Sequence, residues 1–197
     1  MWRRLRRVGD AGGERGATLA VPSLGSHTGQ RRLLSQTLGI HPMKETFIGH
    51  CQCAALNYRV CGTSTALFAC HCTDCQRQSA SAFAMALWVK DADVEILSGE
   101  LKEWIRTMPS GRKMACRFCG ICGTRVFHHV LGTDILSIKP GTLENTKHLK
   151  PCGHIWTGSK QEWVHIDKNV LQYTGNPENY DALISAWLAE PGHCIAD

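Results

Sequence analysis

A chain of 197 residues, 43% of them hydrophobic, is long enough for one ordinary domain with a buried core and some additional chain. The net charge of +5 sits entirely in residues 1–42, which hold seven Arg, no Lys and only Asp10 and Glu14 as acids; the rest of the chain carries fifteen basic and fifteen acidic side chains. A neutral body argues against a nucleic-acid surface built on bulk charge. No apolar run reaches the length of a membrane-crossing helix, so no membrane association is expected.

Residues 1–42 have no sustained apolar period and are expected to form a disordered basic tail. The Arg-rich, Lys-free composition also fits a mitochondrial targeting segment, and Met43 could equally be the working start of the protein. From Thr46 the pattern turns to β. Thr46–His50 leads into a pair of thiols, and Leu56–Val60 alternates as a half-buried strand does. Cys61–Ser64 reads as a turn. Ala66–Ala69 and the apolar run Ala82–Val89 read as buried strands. Val94–Leu97 and Leu101–Ile105 flank a turn at Ser98-Gly99-Glu100, with another turn at Pro109-Ser110-Gly111. Lys113–Phe118, Thr124–His129 and Ile135–Ile138 continue the series, the last ending at Lys139-Pro140 because proline cannot donate to a ladder. Ile155-Trp156 and Trp163–Ile166 add β weight. One helix is predicted over Asn179–Leu188, where Leu183, Ile184, Trp187 and Leu188 share a stripe.

Eight of the eleven cysteines fall in three short runs: Cys51-x-Cys53, Cys70-x-Cys72-x-x-Cys75 and Cys116-x-x-Cys119-x-x-Cys122. No secretory segment follows the basic start. Adjacent thiols without a secretory context suit metal chelation in a reducing, intracellular compartment, here taken as the cytoplasm. Zinc wants four donors in a tetrahedron, and thiolates are among its preferred ones. Cys119-Gly120-Ile121-Cys122-Gly123 has the glycines that a tight knuckle turn needs and supplies two ligands. Cys51 and Cys53 can supply the other two. That leaves Cys70, Cys72 and Cys75 to hold a second zinc on three corners. The fourth corner is open to water or a thiol substrate, or is closed by Cys116, His71 or another residue.

These runs, with Gln76-Arg77 after the second and Gly123-Thr124 after the third, resemble the glutathione-dependent formaldehyde-activating enzyme (GFA) family, whose domain is shared with centromere protein V. The stretch His154-Ile155-Trp156, with Ser159-Lys160 and Trp163, is similar to that family's C-terminal segment. The resemblance covers roughly residues 46–175, with 176–197 as a helical extension. It implies a mainly β, tent-like zinc-binding fold with little helix. It implies two zinc ions per chain, a structural one on Cys51, Cys53, Cys119 and Cys122 and a catalytic one on Cys70, Cys72 and Cys75, near a glutathione site. It also implies carbon–sulfur lyase chemistry on an adduct such as S-hydroxymethylglutathione. Two positions depart from the family's pattern. Ala54 and Ala80 stand where the family usually has glycine, so a positive φ at either would be strained.

Cys61, Cys152 and Cys194 read as ordinary thiols. His128 and His129 alternate faces, so at most one can point at a site. His154 is a pocket candidate through the resemblance, and Arg77, Arg117, Arg125 and Lys160 are candidates for glutathione carboxylates. The leading reading is a zinc-dependent enzyme acting on a thiol–aldehyde adduct. The alternative is a non-catalytic, zinc-stapled module that binds a protein or nucleic acid.

Overall fold

The structure, a computed structural model, describes residues 45–189. The tail expected over 1–42, and Cys194, lie outside them. The elements in chain order are strands β1 (Glu45–His50), β2 (Asn57–Gly62) and β3 (Ala66–Cys70), helix α1 (Thr73–Ser79), strands β4 (Ala84–Lys90), β5 (Val94–Ser98), β6 (Leu101–Thr107), β7 (Lys113–Cys119), β8 (Arg125–Val130), β9 (Ile135–Ile138), β10 (Gly153–Ile155) and β11 (Leu171–Gln172), and helix α2 (Asp181–Ala189). The chain is mainly β, as expected.

Two sheets share the work. β1, β2 and β5 form an antiparallel sheet of three strands. The larger sheet runs β11-β10-β3-β4-β9-β8-β7-β6. It is antiparallel except at β10, which pairs parallel with both β3 and β11. The sequence reads β5 and β6 as strand, turn, strand, but they do not pair: β5 joins β2 and β6 joins β7. The turn therefore carries the chain from one sheet to the other.

The side-chain period of two explains where the core sits. Phe47, Tyr58 and Val60 of the small sheet meet Leu67, Leu87, Phe127 and Ile138 of the large one, and the Tyr58 and Phe127 rings touch edge to face with centroids 4.8 Å apart. The opposite face of β3 and β4 presents Ala66, Phe68, Cys70 and Ala86 to a second cluster, with Ile155 and Leu183 of α2. Both faces of these strands are covered, so β3 is buried at every residue. This accounts for their continuous apolar runs. α2 is also tied by its tryptophan, whose Trp187 Nε1 donates to Ser64 Oγ at 3.1 Å.

Two expectations need correction, and one element was missed. The turn expected at Cys61–Ser64 starts later, because Cys61 and Gly62 still pair with β1. Trp163–Ile166 forms no strand; Val164 alone of the four is buried, while Trp163 is 67% exposed. Conversely, α1 was not read from the sequence. It lies inside a cysteine run whose spacing signals metal before helix, and its seven residues bury none of their own.

Candidate metal centre

The four thiols of Cys51, Cys53, Cys119 and Cys122 converge, their Sγ atoms all within 4.8 Å of one another. Cys51 follows directly on β1 and Cys53 lies in the turn beyond it; Cys119 ends β7 and Cys122 lies in the next turn. The two turns are built alike. In one, the Ala54 N–H closes back on the Cys51 carbonyl at 2.9 Å; in the other, the Gly123 N–H closes on the Cys119 carbonyl at 2.9 Å. Each closing residue has a positive φ, 57° at Ala54 and 73° at Gly123. Thr124 joins the turns: its hydroxyl accepts from the Gln52 N–H at 3.2 Å and lies 3.1 Å from Cys122 Sγ.

The arrangement suits a tetrahedral metal. A zinc–sulfur bond of about 2.3 Å places tetrahedral sulfurs about 3.8 Å apart. Cys51 and Cys53 Sγ are 3.5 Å apart, and Cys53 and Cys119 Sγ 3.9 Å. Backbone N–H groups are aimed at the sulfurs, from Leu56 to Cys51 at 3.3 Å and from Ile121 to Cys119 at 3.4 Å. Such donors favour thiolate over thiol. The Thr124 hydroxyl and N–H pull the Cys122 thiol down to about 5. The Cys53 thiol, helped by the Ala55 N–H but crowded by Cys51 and Cys122, is pushed up to about 12. Four sulfurs this close cannot all be anionic on their own, and a dication is what lets them be.

Cys70, Cys72 and Cys75 form the second cluster, again with Sγ atoms within 4.8 Å. Cys70 ends β3, Cys72 is the N-cap of α1, and Cys75 sits in its first turn, with the Cys75 N–H directed at Cys72 Sγ at 3.4 Å. Hydrogen bonds from Cys70 and Cys75 pull the Cys72 thiol well below its ordinary value, while the Cys70 thiol, donating to Cys72, is pushed up. All described cysteines are free thiols, so both clusters could hold metal ions of the zinc type.

The candidates for the fourth corner lie elsewhere. Among the described residues, no further His, Cys, Asp or Glu ligand atom joins the three-thiol cluster. Cys116 is buried, with its Sγ directed at the Met114 carbonyl. His71 turns away and is fully buried, stacked on His154 with Nε2 2.9 Å from His154 Nδ1. Burial lowers both imidazoles, His154 to about 4, so the pair is neutral near pH 7. Gln76 braces this corner: its amide donates to the His71 carbonyl at 2.8 Å and to the Ser159 carbonyl at 2.9 Å. His154 therefore belongs to the wall behind the cluster.

The basic candidates separate by partner. Arg77 is exposed beside Asp74, Arg117 is held by Glu103 at 3.0 Å, and Lys160 donates to the Val164 carbonyl at 2.8 Å. Arg125 lines two adjoining cavities. One, of about 780 Å³, also touches Asp74, Arg106, Cys116 and His128. The other, of about 370 Å³, also touches Gln78, Ser79 and Lys139. His129 turns the other way, to the Thr133 carbonyl at 2.7 Å. Lys139 and Arg106 were not singled out in the sequence. Lys139 gave only the signal of a strand end before proline.

Comparison with known proteins fits this geometry. Among curated proteins none matches the chain significantly. A solved structure of a protein from Rhodobacter sphaeroides aligns with it at 19% identity and a TM-score of 0.42, covering 51% of this chain and 91% of that one. The model of the glutathione-dependent formaldehyde-activating enzyme family matches residues 46–159, a span that contains both thiol clusters, and the chain belongs to that family.

Proposed function

We propose that the chain joins a thiol, glutathione in the first instance, to formaldehyde or another small aldehyde at the Cys70–Cys72–Cys75 cluster, and cleaves such adducts in the reverse direction as a carbon–sulfur lyase. The observation that carries this reading is the contrast between the clusters: four convergent sulfurs in one, three in the other, with no further ligand side chain among the described residues. A zinc ion on three protein thiolates would offer a fourth position at which a thiol loses its proton near neutral pH. In the forward direction the sulfur bonds to the carbonyl carbon, the π pair moves to oxygen, and the proton released by the thiol ends there.

The chain's own residues prepare the place. α1 fixes two of the three sulfurs within one turn, so their separation cannot drift. β3 delivers the third from the most buried strand of the sheet. The neutral His71–His154 pair and the Gln76 amide make a rigid wall that adds no charge. The four-sulfur cluster has no open corner and serves the fold.

The experiment is exchange spectroscopy by NMR on zinc-loaded protein with glutathione and formaldehyde. Adduct formation and breakdown should both accelerate above the spontaneous rates at unchanged equilibrium. Rates equal to the spontaneous ones would refute the assignment.

A further inference from the structure

Two cations face one cavity with no carboxylate to answer them. Among the described residues, the other half-buried arginines each meet an acid: Arg59 meets Glu95 at 2.7 Å, Arg106 meets Asp74 at 2.6 Å, and Arg117 meets Glu103 at 3.0 Å. Arg125 meets a neutral imidazole instead, His128 Nε2 at 2.9 Å, and lies 5.8 Å from the centre of the Phe118 ring. The half-buried Lys139 enters no ion pair among the described residues. Both side chains line the cavity of about 370 Å³, together with Gln78, Ser79, Phe83 and Ala84. Unpaired charges held away from water are costly, and proteins keep them where something binds. In the adjoining cavity, burial first and then the charges of Lys139, Arg125 and Arg106 hold the His128 imidazole near 2. Burial and the repulsion of Arg125 likewise lower the Lys139 ammonium, against the pull of Cys75 and Cys70.

The cavity adjoins the three-thiol cluster. The Ser79 hydroxyl donates to the Cys75 carbonyl at 2.8 Å, and Ala84 is the cross-strand partner of Cys70. A dication held by Cys70, Cys72 and Cys75 as thiolates would leave one net negative charge there, enough to balance one of the two cations and not the other.

We propose that this cavity is an anion subsite that takes a carboxylate of the thiol substrate, with Lys139 and Arg125 as its specificity-determining residues. The inference rests on the thiol–aldehyde reading above and narrows it to thiols with an acidic arm, such as peptide thiols and mercapto acids. The Arg125 fork can grip a carboxylate through two N–H donors, and Lys139 supplies a point charge that solvent screens weakly. Neutral thiols and aminothiols gain nothing here and are poor substrates.

The test uses zinc-loaded protein and calorimetry with S-methylglutathione, whose blocked sulfur cannot form a thiolate. Lys139→Met and Arg125→Met should each weaken binding about ten- to a hundredfold, the loss of one charge-assisted contact, while Lys139→Arg retains it. In turnover, the same variants should raise KM for 3-mercaptopropionate by a larger factor than for 2-mercaptoethanol, which has no carboxylate. Zinc content and near-ultraviolet circular dichroism verify that each variant is folded and loaded. Unchanged S-methylglutathione binding in both Met variants overturns the subsite. So does loss of zinc from the variants with equal losses for charged and neutral thiols, because the cations then serve the metal alone. Lys139-dependent binding without any acceleration of adduct formation keeps the subsite and removes the catalytic reading, so the two fail separately.

Discussion

Ala54 and Ala80 hold backbone conformations that an L-residue with a Cβ adopts at a cost, with φ of 57° and 49°. Ala54 closes the Cys51–Cys53 turn, and Ala80 caps α1 with its N–H on the carbonyls of Arg77 and Gln76. The left-handed region costs a residue with a Cβ roughly 1–2 kcal/mol, and glycine gives back part of that gain as unfolded-state entropy. Ala54→Gly and Ala80→Gly should therefore each stabilise the protein by about 0.5–1 kcal/mol, read as a higher urea midpoint at unchanged slope. The sequence flagged both positions because alanine stands there where the family usually has glycine. Lys139 went unflagged for the opposite reason. A lone lysine before a proline looks like any solvated cation, and what sets it apart is the cavity it shares with Arg125.

Among the elements, thiol spacing was the most legible signal. Two pairs of sulfurs from β1 and β7 and three from β3 and α1 meet as the runs suggested. Strand existence was legible too, because alternation in β2 and continuous burial in β3 follow directly from one or two covered faces. Pairing was not. Nothing in Val94–Ile105 reveals that two adjacent strands enter different sheets, since that choice is made by distant partners. The short α1 was hidden because its residues serve metal geometry and bury no apolar stripe. The two clusters differ in what they hold together, and substitution separates them. Cys119→Ser would remove one of the four sulfurs through which zinc would join the ends of β1 and β7, and should abolish cooperative folding. Cys72→Ser should leave most of the dichroism and the thermal transition in place while removing turnover. Equal unfolding by both substitutions would assign both clusters to structure alone.

For the whole molecule, zinc held by these clusters would decide stability. Apparent binding free energies of structural zinc run to about 10–16 kcal/mol, as large as the full stability of an ordinary domain at about 5–15 kcal/mol. Purified protein should contain two zinc ions per chain. A strong chelator should remove the more weakly held ion with little change in dichroism and the second with loss of the fold. Acidification acts in the same direction, because ligation requires thiolates and protons compete for them as pH falls. A single release step, with both ions leaving as the chain unfolds, would show that the second cluster is structural as well. Among the described residues no helix is long and apolar enough to cross a membrane.

The four-sulfur centre also sets a schedule for synthesis. Cys53 and Cys119 are 66 residues apart, which at ordinary elongation rates is about 3–13 s of ribosome time. For most of that interval the growing chain displays Cys51 and Cys53 beside Cys61, Cys70, Cys72 and Cys75, and six thiols on an unfolded chain would be enough to capture zinc in the wrong register. The correct partners of the first two arrive last. A nascent chain that meets abundant zinc early must exchange ligands before it can close its sheets, whereas one supplied after Cys122 emerges can fill both centres directly. With zinc on both clusters, the timing of metal delivery would bear on how much of this protein reaches its native form.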